Sequence, residues 1–195
     1  MQALPPNFYT QDVDAVAQAL IGVILTVDGV GGPIVETEAY DAADPASHSF
    51  VGRTRRNAAM FGPVGRAYVY RIYGLHRCLN IVCGTPGSAV LIRAIEPRFG
   101  LDVMRQRRGV EMASRLLCSG PGRLCTALAI DLTLDGASLN ELPFLLTDAG
   151  ESPQIMTGPR IGISKAADRM RRYGLKHSPW LSRQFPDESA ALHHD

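Results

Sequence analysis

Two carboxylates and a phenol occupy alternate positions in Glu36-Thr-Glu38-Ala-Tyr40. The same stretch, as far as residue 96, goes on to His48, Tyr68, Tyr70, Tyr73, Asn80 and Arg93. Acids, rings and a guanidinium interleaved with apolar residues are the materials of a polar, aromatic-lined site. A carboxylate walled by rings is partly desolvated, which suits it to take a proton from water. Glu36 and Glu38 compete for that role on even terms, because alternation puts both on the face that carries Tyr40. The ordinary fate of such a carboxylate is a solvated strand surface. Tyr40 beside it and a large polar loop after it favour chemistry instead.

The tyrosines divide. Tyr68 and Tyr70 share a face and suit either a sheet core or a pocket wall. Tyr73 stands next to Gly74 at a hairpin tip and has little core to enter. An aromatic on a projecting turn can stack on nucleic-acid bases or wedge between them, or it can pack across its own hairpin. Asn80 and Arg93 are polar residues inside apolar strands. A buried arginine needs an anionic or carbonyl partner, and Glu38 is available; an edge position would let it reach water instead.

The elements that must hold these residues are legible from periodicity. Thr10 with acids after it opens a helix over 11–20. A strand over 21–27, the turn Asp28-Gly29 and a strand over 34–40 form a hairpin. Residues 41–63 make a long loop of the kind that usually carries function. Strands over 66–73 and 77–83 flank the tip at 73–76, and another strand spans 88–95. A helix lies within 99–116 and another runs from Ser119-Gly-Pro-Gly to 130. A short strand over 160–164, a helical turn or two over 166–173 and a last strand over 177–181 complete the pattern.

At 195 residues with 46% hydrophobic and 20% charged residues, the chain suits one domain, 1–195, with a tail at 186–195. It contains no apolar run of membrane-spanning length and opens without a basic leader, so a cytoplasmic protein is expected. Cys78, Cys83, Cys118 and Cys125 lack zinc or redox spacing and read as buried thiols. The net charge of +1 conceals a division. Residues 1–52 hold seven acids and no Lys or Arg, whereas 53–123 hold thirteen arginines, no lysine and three acids. A basic middle suits a polyanion, and guanidinium groups suit phosphate. An arginine-biased surface alone gives the same count.

Taken together, Glu38-Ala-Tyr40, His48-Ser, Arg56-Asn57, Met60-Phe61, Tyr68-Val-Tyr70-Arg-Ile-Tyr73-Gly, Asn80-Ile and Arg93-Ala-Ile-Glu-Pro97 resemble the alkyladenine (3-methyladenine) DNA glycosylase family. The segment 117–130, Arg160-Ile-Gly-Ile163 and Ser178-Pro-Trp180 extend the likeness in order, over residues 8–183. Arg71, His76 and a shorter loop after His48 depart from the family pattern. The resemblance implies an α+β fold: one mixed domain with a curved antiparallel sheet, a protruding β-hairpin and surrounding helices. It implies that Tyr73 and Leu75 wedge into duplex DNA and that a flipped purine enters a pocket of Tyr40, His48, Tyr70, Asn80, Ile161 and Tyr68. Glu38 would deprotonate water, with Arg93 and the Ile161 carbonyl helping to hold it. Phosphate contacts fall to Arg53, Arg55, Arg56 and Arg123.

The partner the resemblance implies is then double-stranded DNA bearing a damaged purine, met in the cytoplasm by a nucleoid-associated protein, with no membrane and no cofactor or metal, and the protein acts as a monomer. A lyase step needs an amine nucleophile. The only lysines, Lys165 and Lys176, lie outside the motif region, so a monofunctional glycosylase is expected. The alternative is a non-catalytic nucleic-acid-binding module on the same fold. A metallohydrolase built on His48, His76 and His177 lacks ligand spacing.

Overall fold

Val27 and Val30 pair directly across Asp28-Gly29, and both turn residues have positive φ, 50° and 74°. This two-residue hairpin matches the right-handed twist of its strands. Its second strand runs through Val30–Tyr40, four residues earlier than the sequence pattern suggested. Gly31 and Gly32 belong to the strand because neighbouring backbone crowds them. A Cβ on Gly31 would lie 1.9 Å from the Leu25 carbonyl oxygen, and one on Gly32 the same distance from that of Glu96.

The computed structural model describes residues 2–150 and 152–186. Its strands are β1 (Gln2–Ala3), β2 (Ile24–Val27), β3 (Val30–Tyr40), β4 (Ala67–Ile72), β5 (His76–Val82), β6 (Ala89–Ile95), β7 (Phe144–Asp148), β8 (Ile155–Gly158) and β9 (Arg172–Leu175). Its helices are α1 (Val13–Ala19), α2 (Leu101–Arg108), α3 (Ser114–Leu117) and α4 (Pro121–Ala127). All strand pairs are antiparallel, in the order β1-β7-β2-β3-β6-β5-β4. Strand β9 adds to β3 at Glu36–Glu38 and pairs β8 on its other side.

Strand β3 thus pairs β2 with its first residues and β9 with Glu36–Glu38, while β6 runs along its other edge. Register shifts beside Glu36 bend it where the sheet curls. The result is the α+β fold with a curved antiparallel sheet that the family resemblance implies.

Alternation assigns the two faces. Ala39, Val69, Leu79, Ile81, Val90 and Ile92 join Val16, Met104 and Leu124 of the helices in one buried core. Each fully buried Leu or Ile contributes roughly 2 kcal/mol, so this face anchors the sheet. The other face carries the polar residues. Thr37 shares the helix-side face with Ala39, and its hydroxyl donates to the Ala17 carbonyl at 2.8 Å.

Several elements differ from expectation. The first helix begins at Val13, capped by Asp12, whose carboxylate accepts from the Asp14 N–H; Thr10 instead closes a 3-10 turn by donating to Asn7. Residues 160–164 form no strand, because Gly162 takes a left-handed φ of 78° and the buried Arg160 side chain reaches across to Asp44. Residues 166–173 form no helix; Ala166 is left-handed and Arg172 already belongs to β9. Residues 177–181 are a turn in which His177 has a φ of 61°. The expected tail lies outside the described residues apart from Pro186. Among the described residues no helix is long and apolar enough to cross a membrane.

Candidate active site

The polar face of the sheet opens into a cavity of about 520 Å³, a size typical of small-molecule sites. Strand β3 contributes Glu38 and Tyr40, β4 contributes Tyr68 and Tyr70, β5 Asn80 and β6 Arg93. The long loop brings His48, the hairpin tip Tyr73, the start of α4 Arg123, and the segment after β8 Ile161. Register explains the convergence. Leu91 of β6 pairs with Glu38 on one side and Asn80 on the other, and Asn80 pairs with Tyr68.

Glu38 is fully buried, and three donors hold its carboxylate. Arg93 Nη1 lies 3.1 Å from Oε1, the Ile161 N–H donates to Oε1 at 2.8 Å, and the Tyr40 hydroxyl donates to Oε2 at 2.7 Å. Ile161 therefore meets Glu38 through its amide, a contact that the sequence motif did not disclose. Burial and then the Glu38 charge push the Tyr40 phenol well above its usual range, so it remains a donor.

Glu36, the competitor, is also fully buried but does not line the cavity. It accepts from Arg93 Nε at 3.1 Å, Arg172 Nε at 2.8 Å, and the N–H and hydroxyl of Ser182 at 2.6 and 2.9 Å. Glu36 is thus an anchor for two arginines, and Glu38 is the carboxylate that faces the cavity. Arg93 bridges both acids. Burial alone would favour its neutral form, but the Glu38 and Glu36 charges prevail and raise its pKa.

The rings form a wall. His48 and Tyr70 meet edge to face with centroids 4.5 Å apart, and Tyr68 and Tyr70 lie 5.3 Å apart. His48 Nδ1 and the Tyr68 hydroxyl share a hydrogen bond of 2.9 Å. Burial and then nearby Arg56 lower the His48 pKa below 6.5, favouring a neutral ring. The Asn80 amide donates to the Tyr68 carbonyl at 3.0 Å, which fixes its orientation. Asn57 holds the loop in place by donating to the carbonyls of His48 and Gly52.

The loop is further tied by charges that the sequence pattern missed. Arg160 pairs with Asp44, and Arg171 pairs with Asp14, Asp41 and Asp44. Burial would raise the Asp44 and Asp14 pKa values, but hydrogen bonds from Arg160 and Arg171 respectively lead the effects that hold them below 3.8.

The methylpurine-DNA glycosylase family model matches residues 7–179. A protein of Nitrosospira multiformis named "Putative 3-methyladenine DNA glycosylase" is 59% identical over 92% of this chain and 93% of its own length. Namesakes from Agrobacterium fabrum and Rhizobium meliloti are 55% and 58% identical, covering 95% and 92% of this chain and 95% and 96% of their own. The chain belongs to the methylpurine-DNA glycosylase family.

The expected residues of the hairpin tip and the expected arginines are exposed to solvent, Tyr73 and Arg123 at the rim of the cavity. Tyr73 is 81% and Leu75 78% exposed at the β4–β5 tip, and Leu75 does not line the cavity. Arg53 and Arg55 are exposed on the loop; Arg56 is exposed too, with Nη2 donating to the Arg71 carbonyl. Arg123 is exposed and bonds Ser119. Lys165 lines a smaller pocket beside His48 and Tyr68, and neither lysine lines the Glu38 cavity. All four cysteines are free and buried. Among the described residues no group of three or more His, Cys, Asp or Glu could hold a metal ion.

Proposed function

We propose that this protein removes alkylated or deaminated purines from duplex DNA by hydrolysing the N-glycosidic bond, leaving an abasic site. A base inside a duplex is out of reach, so the nucleotide must be flipped at a cost of a few kcal/mol, least for damaged bases that pair and stack poorly. Tyr73 and Leu75 suit the gap left behind, and the exposed arginines suit the phosphates. The extruded purine would enter between Tyr40 and the His48–Tyr70 pair. A cationic alkylated purine is favoured there by the electron-rich tyrosine faces.

The observation that carries this reading is the state of Glu38. A carboxylate has about four acceptor sites, and among the described residues three are taken by Arg93, Ile161 and Tyr40. The remaining site on Oε2 is suited to a water molecule. As the C1′–N9 bond breaks, its electron pair leaves with the base. Positive charge develops on the sugar, where the Glu38 carboxylate stabilises it. Water oxygen bonds to C1′ and its proton passes to Glu38. The absence of lysine from the cavity lining supports a monofunctional enzyme, because a Schiff base needs an amine.

The test is a single-turnover panel of duplexes carrying 3-methyladenine, 7-methylguanine, hypoxanthine or ethenoadenine. Release of at least one free base, with an uncut abasic strand as product, is the expected result. Binding without release of any base would leave a non-catalytic DNA-binding module. Strand cleavage concurrent with release would contradict the monofunctional assignment.

A further inference from the structure

We infer that Arg160 is a positioning residue for the base slot, acting through Tyr40, Asp44 and Ile161 without facing the reaction itself. The inference rests on the glycosylase reading above and adds to it the device that keeps the slot formed. Arg160 is not among the residues lining the cavity, and its side chain is fully buried. A buried guanidinium is costly unless its donors are met; both terminal nitrogens are fully engaged, and only the buried Nε lacks a hydrogen-bond partner among the described residues. Nη1 donates to Asp44 Oδ2 and to the Ala39 carbonyl at 3.0 Å. Nη2 donates to Asp44 Oδ1 at 3.1 Å and to the Ala166 carbonyl at 3.3 Å. The guanidinium carbon also sits 4.6 Å from the centroid of the Tyr40 ring.

Each of these contacts touches a part of the slot. Tyr40 is the last residue of β3, where a strand would ordinarily fray; Arg160 covers its ring, and Glu38 holds its hydroxyl. Asp44 starts the turn that delivers His48: its side chain accepts from the Ala46 N–H at 3.0 Å and its carbonyl from the Ser47 N–H at 2.8 Å. Ile161, the next residue after Arg160, donates its N–H to Glu38. One planar cation therefore sets one wall, the approach of the opposite wall and a hydrogen bond to the Glu38 carboxylate. Lysine could pair with Asp44, but it offers no plane to stack on the ring and no fork to span the carbonyls.

The experiment compares Arg160→Lys, and a double variant Arg160→Gln with Asp44→Asn that leaves no unpaired buried acid, with the wild type. Hydrogen exchange in the free protein should quicken at least about tenfold over 39–48 and 160–166 and stay unchanged in β2 and β7. Single-turnover base release should fall at least about tenfold, since small misplacements of a reacting group carry large rate penalties. Affinity for an abasic duplex, which places no base in the slot, should stay within about twofold.

Unchanged exchange in both variants would overturn the clamp. Faster exchange with wild-type release would overturn the positioning role. A fall in abasic-duplex affinity parallel to release would make Arg160 a general support of the fold. If the wild type releases no base while exchange responds as stated, the glycosylase reading fails and the clamp stands.

Discussion

At the scale of residues, hydrogen bonding separates two carboxylates that spacing alone could not. Glu36 and Glu38 are both fully buried on one strand, but four donor contacts from Arg93, Arg172 and Ser182 engage Glu36. Sequence shows which acids share a face; it does not show that β9 and the segment after it approach Glu36 from residues more than a hundred positions away. His48 carries a pH prediction. Its lowered pKa means that it binds a proton only below the ordinary 6.5. Once protonated, it would repel a cationic purine more than a neutral one. The ratio of 7-methylguanine to hypoxanthine release should therefore hold steady at and above pH 6.5 and fall at lower pH, in single-turnover profiles. A fall in that ratio beginning above pH 6.5 would contradict a neutral His48 against the purine.

At the scale of elements, the hairpin tip and the strands around it were the most legible parts. Tyr68, Tyr70 and Asn80 alternate with apolar residues, and the structure places all three on the cavity. The segment 160–181 is the least legible from periodicity. Its backbone follows long-range partners: Arg160 reaches Asp44, and Arg172 and Tyr173 join β9 between β3 and β8. Local periodicity cannot register such tertiary demands. The tip itself stores strain, since Tyr73 has a φ of 51°, a left-handed conformation that costs a non-glycine residue about 1–2 kcal/mol. Glycine adopts it freely. Tyr73→Gly should therefore leave thermal stability unchanged or raise it by up to about 1 kcal/mol, while weakening capture of lesion duplex. Loss of stability with intact capture would show that Tyr73 serves the hairpin.

At the scale of the molecule, the charge division in the sequence has two uses. Of the thirteen arginines over 53–123, nine donate from the guanidinium to protein partners, Arg93, Arg107, Arg108 and Arg115 among them, whereas the guanidinium groups of Arg53, Arg55, Arg71 and Arg77 make no hydrogen bond or ion pair among the described residues. The basic count thus exaggerated the surface left for a polyanion. The acid-rich first part supplies Asp14, Asp41 and Asp44 to Arg160 and Arg171, closing the chain's later segment onto its start. The Asp14 and Asp44 pKa values are lowered by folding, so the stability they add is present above 3.8 and lost as pH falls through their folded values. Acid titration followed by circular dichroism should show the main loss below about pH 4, and Asp44→Asn should reduce that dependence. Stability indifferent to pH in that range would argue against the network.

The whole reading converges on Glu38, and its most direct test is Glu38→Gln under single turnover on a duplex the wild type processes. The account predicts undiminished affinity for that duplex, with base release slowed by about two to four orders of magnitude. Release at the wild-type rate would contradict it.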